Sequence, residues 1–494
     1  MSYFKNTKSL KFTVLLVLIF TLQSCSDFLE QEPGTQTSIN EQLADKKGVT
    51  TALNGMYTHL RNIVMDPNFV VYSDIQGGNL KFTPTYSTDI NRIGIITIPG
   101  AIENFYSFQD QAIDSDLASF YSNGYVIINE ANLILEFTDA IGDATDAEKN
   151  QIKAEALTAR AYMHFLLSGL YSQNYSFTED ASHLGIIYNT KSITNGLQYA
   201  SRETAASTYS HIIDDITAAL KLYSNTILLN GPSYGYFNQN NAKALLSRVY
   251  LSKRDWKNAY ETANDVISNS GVSLVESANY IAQWEQTDLP VSEILMEFTI
   301  PRNDEAAASI SLSNYFGYTS KSSYANYVAS QDLLNLYETS DIRKQLFLVQ
   351  PLTTLVNLQP VDLNYYFTKK FQGNPGYVAF RLSEQYLIRA EAALKLNNTD
   401  QARKDINTIR ERAKASLLKD SENLDDAIFL ERRKELCFEG HLFFDISRNH
   451  KDVSRIDGCM SLNCSITYPS LKYVLPIPRN NTFLNTNLKQ NDSY

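Results

Sequence analysis

"YLIRAEAALKLNNTDQARKDINTIRERA", residues 386–413, reads as two amphipathic helices joined by a turn. Leu382, Tyr386, Ala390 and Ala393 recur at helical spacing ahead of the turn, and Ala402, Ile406, Ile409, Ala413 and Leu417 recur after it. Each set falls on one face of a 3.6-residue helix. The polar run Asn397–Asp400 supplies the turn.

The same plan recurs upstream. In "NAKALLSRVYLSKRDWKNAYETANDVISNS" (241–270) a turn at Lys253–Asp255 separates two helices, and Trp256, Ala259, Ala263 and Val266 form the second helix's face. "QIKAEALTARAYMHFLLSGLYS" (151–172) carries Ile152, Ala156, Ala159, Met163, Leu166 and Leu170 on one face, with Asp146 placed to cap its start. "AASTYSHIIDDITAALKLY" (205–223) is its expected partner. Alanines where two helices must approach resemble tetratricopeptide repeats. The repeats are degenerate and scattered, so the expected fold is all-α: a tetratricopeptide-like helical core with long ordered excursions. Those excursions are 66–110, 171–200, 224–240, 270–330 and 346–378, rich in Asn, Ser, Thr, Gly, Pro and Tyr. Loops this long in a compact body are usually functional or disordered, and their tyrosine content argues for order. Only "EILMEFTI" (293–300) and "LNYYFTKKF" (363–371) alternate like short strands.

The chain starts differently. Lys5, Lys8 and Lys11 precede an apolar run from Phe12 to Phe20, too short to span a bilayer. This reads as a secretory leader. It ends at "LQSC", residues 22–25, which resembles a bacterial lipobox with Cys25 as the lipidated first residue of the mature chain. Ordinary secretory cleavage is the alternative. The expected division is a leader over 1–24, an N-terminal region over 25–240 and a C-terminal region over 241–494, the last two forming one body. Membrane attachment is then through lipid.

The 494 residues are 44% hydrophobic and 20% charged, as in globular chains, with net charge −11. Losing the three leader lysines takes the mature chain to about −14. That argues against nucleic acid as a partner, since its phosphates require a positive face. Cys459 and Cys464 are close enough to bridge across a loop, and export permits it. Cys437 reads as a small buried hydrophobe in a helix. Tyrosine is abundant, 31 against 24 Phe and 2 Trp, and suits surfaces that are half apolar and half wet.

No phosphate-binding glycine loop, dinucleotide fingerprint, metalloprotease or serine-hydrolase motif is present, and no cofactor or metal is expected. The best catalytic candidate is "LERRKELCFEGHLFFDISR" (430–448). It places Glu431, Glu435 and Glu439 on one helical face, with His441 and Asp445 following. A glycosidase needs two such carboxylates flanking a bond. The structural reading is stronger: Arg432, Arg433, Lys434 and Arg448 are at hand to neutralise the acids.

The same stretch is similar to the E-R-R-x-E-L-x-F-E-G-x-R-x-x-D-L-x-R signature of the SusD/RagB family. "RLSEQYLIRAEAALKLN" (381–397), "YVLPIPRNNTFLNTNLKQNDSY" (473–494) and "CSDFLEQEP" (25–33) resemble three further family segments in the expected order. Leu442 and Ser493 depart from the family pattern. The resemblance implies an outward-facing outer-membrane lipoprotein. It would bind glycans or other nutrients and pass them to a SusC-like TonB-dependent transporter, without catalysis. An exported carbohydrate hydrolase and a protein-binding repeat scaffold are the alternatives.

A sugar offers an apolar C–H face and a rim of hydroxyls, so its site needs an aromatic plate beside amide, acid or guanidinium groups. "NLKFTPTYSTDINR" (79–92) offers Tyr86, Asp89, Asn91 and Arg92. "YIAQWEQTD" (280–288) offers Gln283 and Trp284. "SNYFGYTSKSSYANY" (313–327) offers Asn314, Tyr315, Tyr318, Tyr324 and Tyr327. Trp284, among polar neighbours, is expected to be the exposed platform, and Trp256 to be core.

Overall fold

A computed structural model describes residues 38–89, 91–194, 199–301, 305–373 and 375–494, with the side chains of 305–307 excepted. The leader and Cys25 lie outside them. Among the described residues no helix is long and apolar enough to cross a membrane.

The core is a run of helices, each packed on the next. Lys46–Val64 packs on Ala118–Thr138, which packs on Asp146–Tyr171, and that on Ala205–Leu222. The run continues through Gln239–Lys253 and Trp256–Asn269. It then accepts Leu382–Lys395 and Thr399–Arg412, although more than a hundred residues intervene in the chain. Leu424–Glu435 closes the array. The all-α, tetratricopeptide-like architecture is therefore present. Ala259, Ala263 and Ala392, all fully buried, sit with Leu251 and Ile388 where two hairpins meet. Ala390, Ala393 and Ala402 do the same within the last hairpin.

Local details differ from the periodicity reading. Thr145, not Asp146, caps the long helix: its hydroxyl accepts from Glu148 N at 3.3 Å, and Glu148 Oε2 accepts from Thr145 N at 2.9 Å. Reciprocal satisfaction of two orphan N–H groups outweighs a nearby acid. The helix expected to reach Leu417 ends at Arg412, leaving Leu417 exposed. Cys437 is buried but lies just past the helix that ends at Glu435. The excursion 66–110 is more ordered than a loop: it contains the helix Pro67–Gly77, started by the Asp66 cap and a first-turn proline.

Short strands tie the excursions down. Ile294–Phe298 pairs antiparallel with Tyr377–Arg381, and Leu80–Phe82 with Tyr327–Ala329. Phe347–Val356 and Gln359–Thr368 form a hairpin of two ten-residue strands. Its two turn residues, Asn357 and Leu358, have φ of 49° and 63°. Both positive angles are what a tight hairpin turn demands, although leucine is poorly suited to them. Cys459 and Cys464 are joined by a disulfide, with Cα atoms 5.9 Å apart.

Candidate functional site

Three polar, tyrosine-rich segments meet at one place. Thr83 N donates to Asn326 O, and Tyr324 Oη donates to Pro84 O at 2.7 Å. These bonds lay the 83–95 loop along the Tyr318–Tyr324 turn. On its other side the loop reaches the long hairpin, where Leu355 N donates to Gly94 O at 2.8 Å. Gly94 has φ 76°, and a Cβ there would stand 2.7 Å from Leu355 N, so the approach requires glycine.

The rings of Tyr318 and Tyr324 lie 6.4 Å apart and within 9° of parallel. Phe367 backs both, at 5.2 and 6.0 Å. With Val328, Leu352 and Tyr365 they form a small apolar cluster separate from the main core. Burial, with the neighbouring phenols of Tyr365, Tyr318 and Tyr86, raises the Tyr324 hydroxyl above its ordinary value. Tyr324 therefore stays a neutral donor. Tyr86 is 49% exposed at the edge of this group. Asp89, Asn91 and Arg92, all exposed, follow it on the same loop. Asp89 Oδ1 accepts from Asn91 N at 2.9 Å and from Asn91 Nδ2 at 3.1 Å. Lys81 pairs with Asp457 at 2.8 Å and stands 5.4 Å over the Tyr365 ring. The result is a half-buried tyrosine pair with one exposed ring, Tyr86, whose loop carries an exposed acid, amide and guanidinium.

The other expected contacts lie elsewhere. Trp284 is 2% exposed, and its place as an exposed platform is corrected. Its ring faces Lys370 at 5.2 Å and Arg381 at 5.7 Å, with Tyr280 at its edge. The polar neighbours that suggested a wet loop belong to a short helix, Tyr280–Glu285, whose inner side covers buried charge. Trp256, expected in the core, is only half-buried. Gln283 is spent on Ser292 N at 2.9 Å. Tyr327 is buried in its strand beside Phe82. Tyr315 is half-buried and turned towards Met65, while Asn314 is exposed and donates to Ser309 O. Tyr365, Phe367 and Gly94 were not anticipated. Their signal lay in the alternation of "LNYYFTKKF", which puts Tyr365 and Phe367 on one face.

The acids of 430–448 are sealed. Glu431 and Glu435 have no exposed side-chain surface, and Glu439 only 2%. Glu439 lies beyond the helix that carries the other two. Glu435 meets Arg412 at 2.5 Å, Arg381 at 2.7 Å and Arg343 at 2.9 Å. Glu431 meets Arg343 at 2.7 Å, Lys434 at 2.8 Å and Arg410 at 3.1 Å. Lys370 and Arg381 hold Glu439. Most neutralising cations thus come from distant segments. Of the neighbours expected to serve, Lys434 does, Arg432 and Arg448 pair with Asp445, and Arg433 binds Asn79 Oδ1. Burial alone would raise these carboxyls, but the guanidinium groups override it. Glu435 is held well below the carboxylate range, and Glu431 falls to about 2. Carboxylates held ionised and away from water have no proton to give a leaving group.

Known proteins converge on the same architecture. Residues 352–494 match the SusD family model, and residues 27–251 match the model described as "Starch-binding associating with outer membrane". A SusD-like protein of Bacteroides ovatus is 25% identical over 391 residues, covering 70% of this chain and 68% of that one. SusD-like protein P2 of Formosa agariphila is 24% identical, covering 97% and 98%. Among solved structures, a SusD superfamily protein from Bacteroides thetaiotaomicron aligns with TM-score 0.72 at 26% identity, over 90% of this chain and 99% of that one. A SusD-like carbohydrate binding protein from Bacteroides vulgatus shares the fold, with TM-score 0.75 at 21% identity over 90% and 97%. Two family models that together cover residues 27–251 and 352–494, and a helical array shared along nearly the whole length, place this chain in the SusD/RagB family.

Proposed function

We propose that this protein binds a glycan at the Tyr86–Tyr318–Tyr324 surface, as an outer-membrane lipoprotein anchored through Cys25. In this reading it hands the glycan to a SusC-like TonB-dependent transporter. The observation that carries the reading is the surface itself: paired, nearly parallel phenol rings, and an exposed Tyr86 followed on its loop by exposed Asp89, Asn91 and Arg92. Aromatic faces cover a sugar's C–H face, and the amide, acid and guanidinium satisfy its hydroxyls. The description of the model matching residues 27–251 supports both the ligand class and the outer-membrane location. The family described is one of sugar-binding proteins, which favours binding over catalysis. The test is a glycan array probed with the wild type and with Tyr86→Ala. Selective binding of one glycan class that the variant loses supports the proposal. Binding that the variant retains unchanged removes this surface from the site.

A further inference from the structure

The largest cavity described, about 410 Å³, lies away from the tyrosine surface, beneath the 224–240 loop. Its wall is made by Gln151, Tyr223, Leu229, Tyr236 and Phe237, and Asn225, Thr226 and Gln239 stand at its polar side. Asn225 and Gln239 are exposed, so the cavity has a solvent-facing mouth. Glu155, 4% exposed, lines the floor.

Glu155 is unlike the acids of the Glu431–Glu439 network, each of which is paired with cations. Its carboxylate accepts from Tyr57 Oη at 2.6 Å and from Gln151 Nε2 at 2.8 Å, and both partners are neutral. No lysine, arginine or histidine lines the cavity. The titratable groups that face the carboxylate are the phenols of Tyr57, Tyr223 and Tyr236, each raised above its ordinary value by burial and uncharged through pH 8. A buried carboxylate without a cation is costly, and the cavity leaves room for one to arrive from outside. The amides and hydroxyls around the mouth suit the hydroxyl groups of a polyol, and the half-buried ring of Tyr236 suits its apolar face.

We infer that this cavity is a second ligand site, taking a saccharide or small polyol that carries a primary ammonium group, with Glu155 as its counter-ion. The saccharide part of this assignment rests on the proposed function, whereas the ammonium part rests on Glu155 alone. Burial raises the Glu155 carboxyl to about 7, with the Tyr57 and Gln151 hydrogen bonds drawing it only partly back. An ammonium ligand needs the ionised form. Its binding therefore strengthens with pH and releases a proton near neutrality.

The test is calorimetric titration of the intact protein with 6-amino-6-deoxy-D-glucose and with D-glucose, at pH 6 and pH 8. The aliphatic ammonium stays charged across that range. The expected result is tighter binding of the amino sugar than of glucose, by about tenfold at pH 8. Its affinity should rise roughly tenfold from pH 6 to pH 8, following the ionised fraction of an acid titrating near 7. Glu155→Gln should abolish the pH dependence. Leu229→Trp, which fills the cavity and leaves the acid in place, should abolish binding at both pH values even if the glutamine variant folds poorly. Tyr86→Ala should leave this binding intact, so failure of the surface site and failure of this one are separable. Equal affinity for the two sugars, a pH-independent affinity, or retention of binding by Leu229→Trp overturns the assignment.

Discussion

Two regions of this molecule set aromatic rings beside charged side chains, and water separates them. Around Glu435, Trp284 covers Lys370 and Arg381, and Tyr280 stands 4.4 Å from the Arg412 guanidinium. Every cation there has a carboxylate, and the rings close the shell. At the surface, the ring of Tyr86 is exposed, and Asp89, Asn91 and Arg92 on the same loop face solvent. The chemistry of the two residue sets is nearly the same. The difference is whether partners exist inside the protein. An aromatic ring with internal cations to cover is core, whereas an exposed ring on a loop of solvent-facing polar residues is available to a ligand.

Breaking the sealed region should have the largest effect. Glu435→Gln leaves the guanidinium groups of Arg412, Arg381 and Arg343 short of a counter-ion, so unfolding free energy should fall by about 3–5 kcal/mol in a denaturant titration. Trp284→Ala opens a void above the same network and should cost about 3–5 kcal/mol, with glycan affinity intact in the folded fraction. If either variant melted like the wild type, the sealed region would not be holding the C-terminal half together.

The pH response sharpens the contrast between acids. Glu431 and Glu435 are depressed in the folded state, so the stability they contribute is present above the ordinary carboxylate value and is lost as pH falls below it, for Glu431 towards about 2. Glu155 is raised, so its contribution is present below pH 4.5 and is lost as pH rises to about 7. A shift of that size corresponds to about 3 kcal/mol. Stability should therefore fall on both sides of the mildly acidic range. Asp110, also raised to about 7 by burial, acts in the same sense, so Glu155→Gln should lessen the alkaline fall and leave the acid side unchanged, as followed by urea midpoints from pH 5 to 8.

The helical half of the fold was legible because periodicity and small residues are local signals. Ala390, Ala393 and Ala402 mark a close helix contact within one short stretch, and Asn398 caps the second helix as the polar turn suggests. Trp284 was not legible. Its partners, Lys370 and Arg381, come from segments far along the chain, and no property of "YIAQWEQTD" announces them. Tyr86, Tyr318 and Tyr324 could be named one by one, but their meeting depends on Gly94 and Phe367, which only the folded hairpin brings in. The two-residue turn at Asn357–Leu358 was equally silent, because it lacks the usual Asn-Gly. Leu358→Gly, relieving a positive φ on an 82% exposed leucine, should stabilise the hairpin by about 0.5–1 kcal/mol in a thermal melt.

The comparison rests most directly on Tyr86→Ala and Trp284→Ala measured together, by calorimetric titration with the array-selected glycan and by thermal melting. Removing an exposed stacking ring should weaken binding by about 1 kcal/mol, roughly fivefold, at nearly unchanged melting temperature. Removing the buried one should lower the melting temperature and leave the affinity of the folded protein unchanged. The reverse pattern, with Trp284→Ala losing affinity at an unchanged melt while Tyr86→Ala binds normally, would contradict the assignment of the open surface as the ligand site.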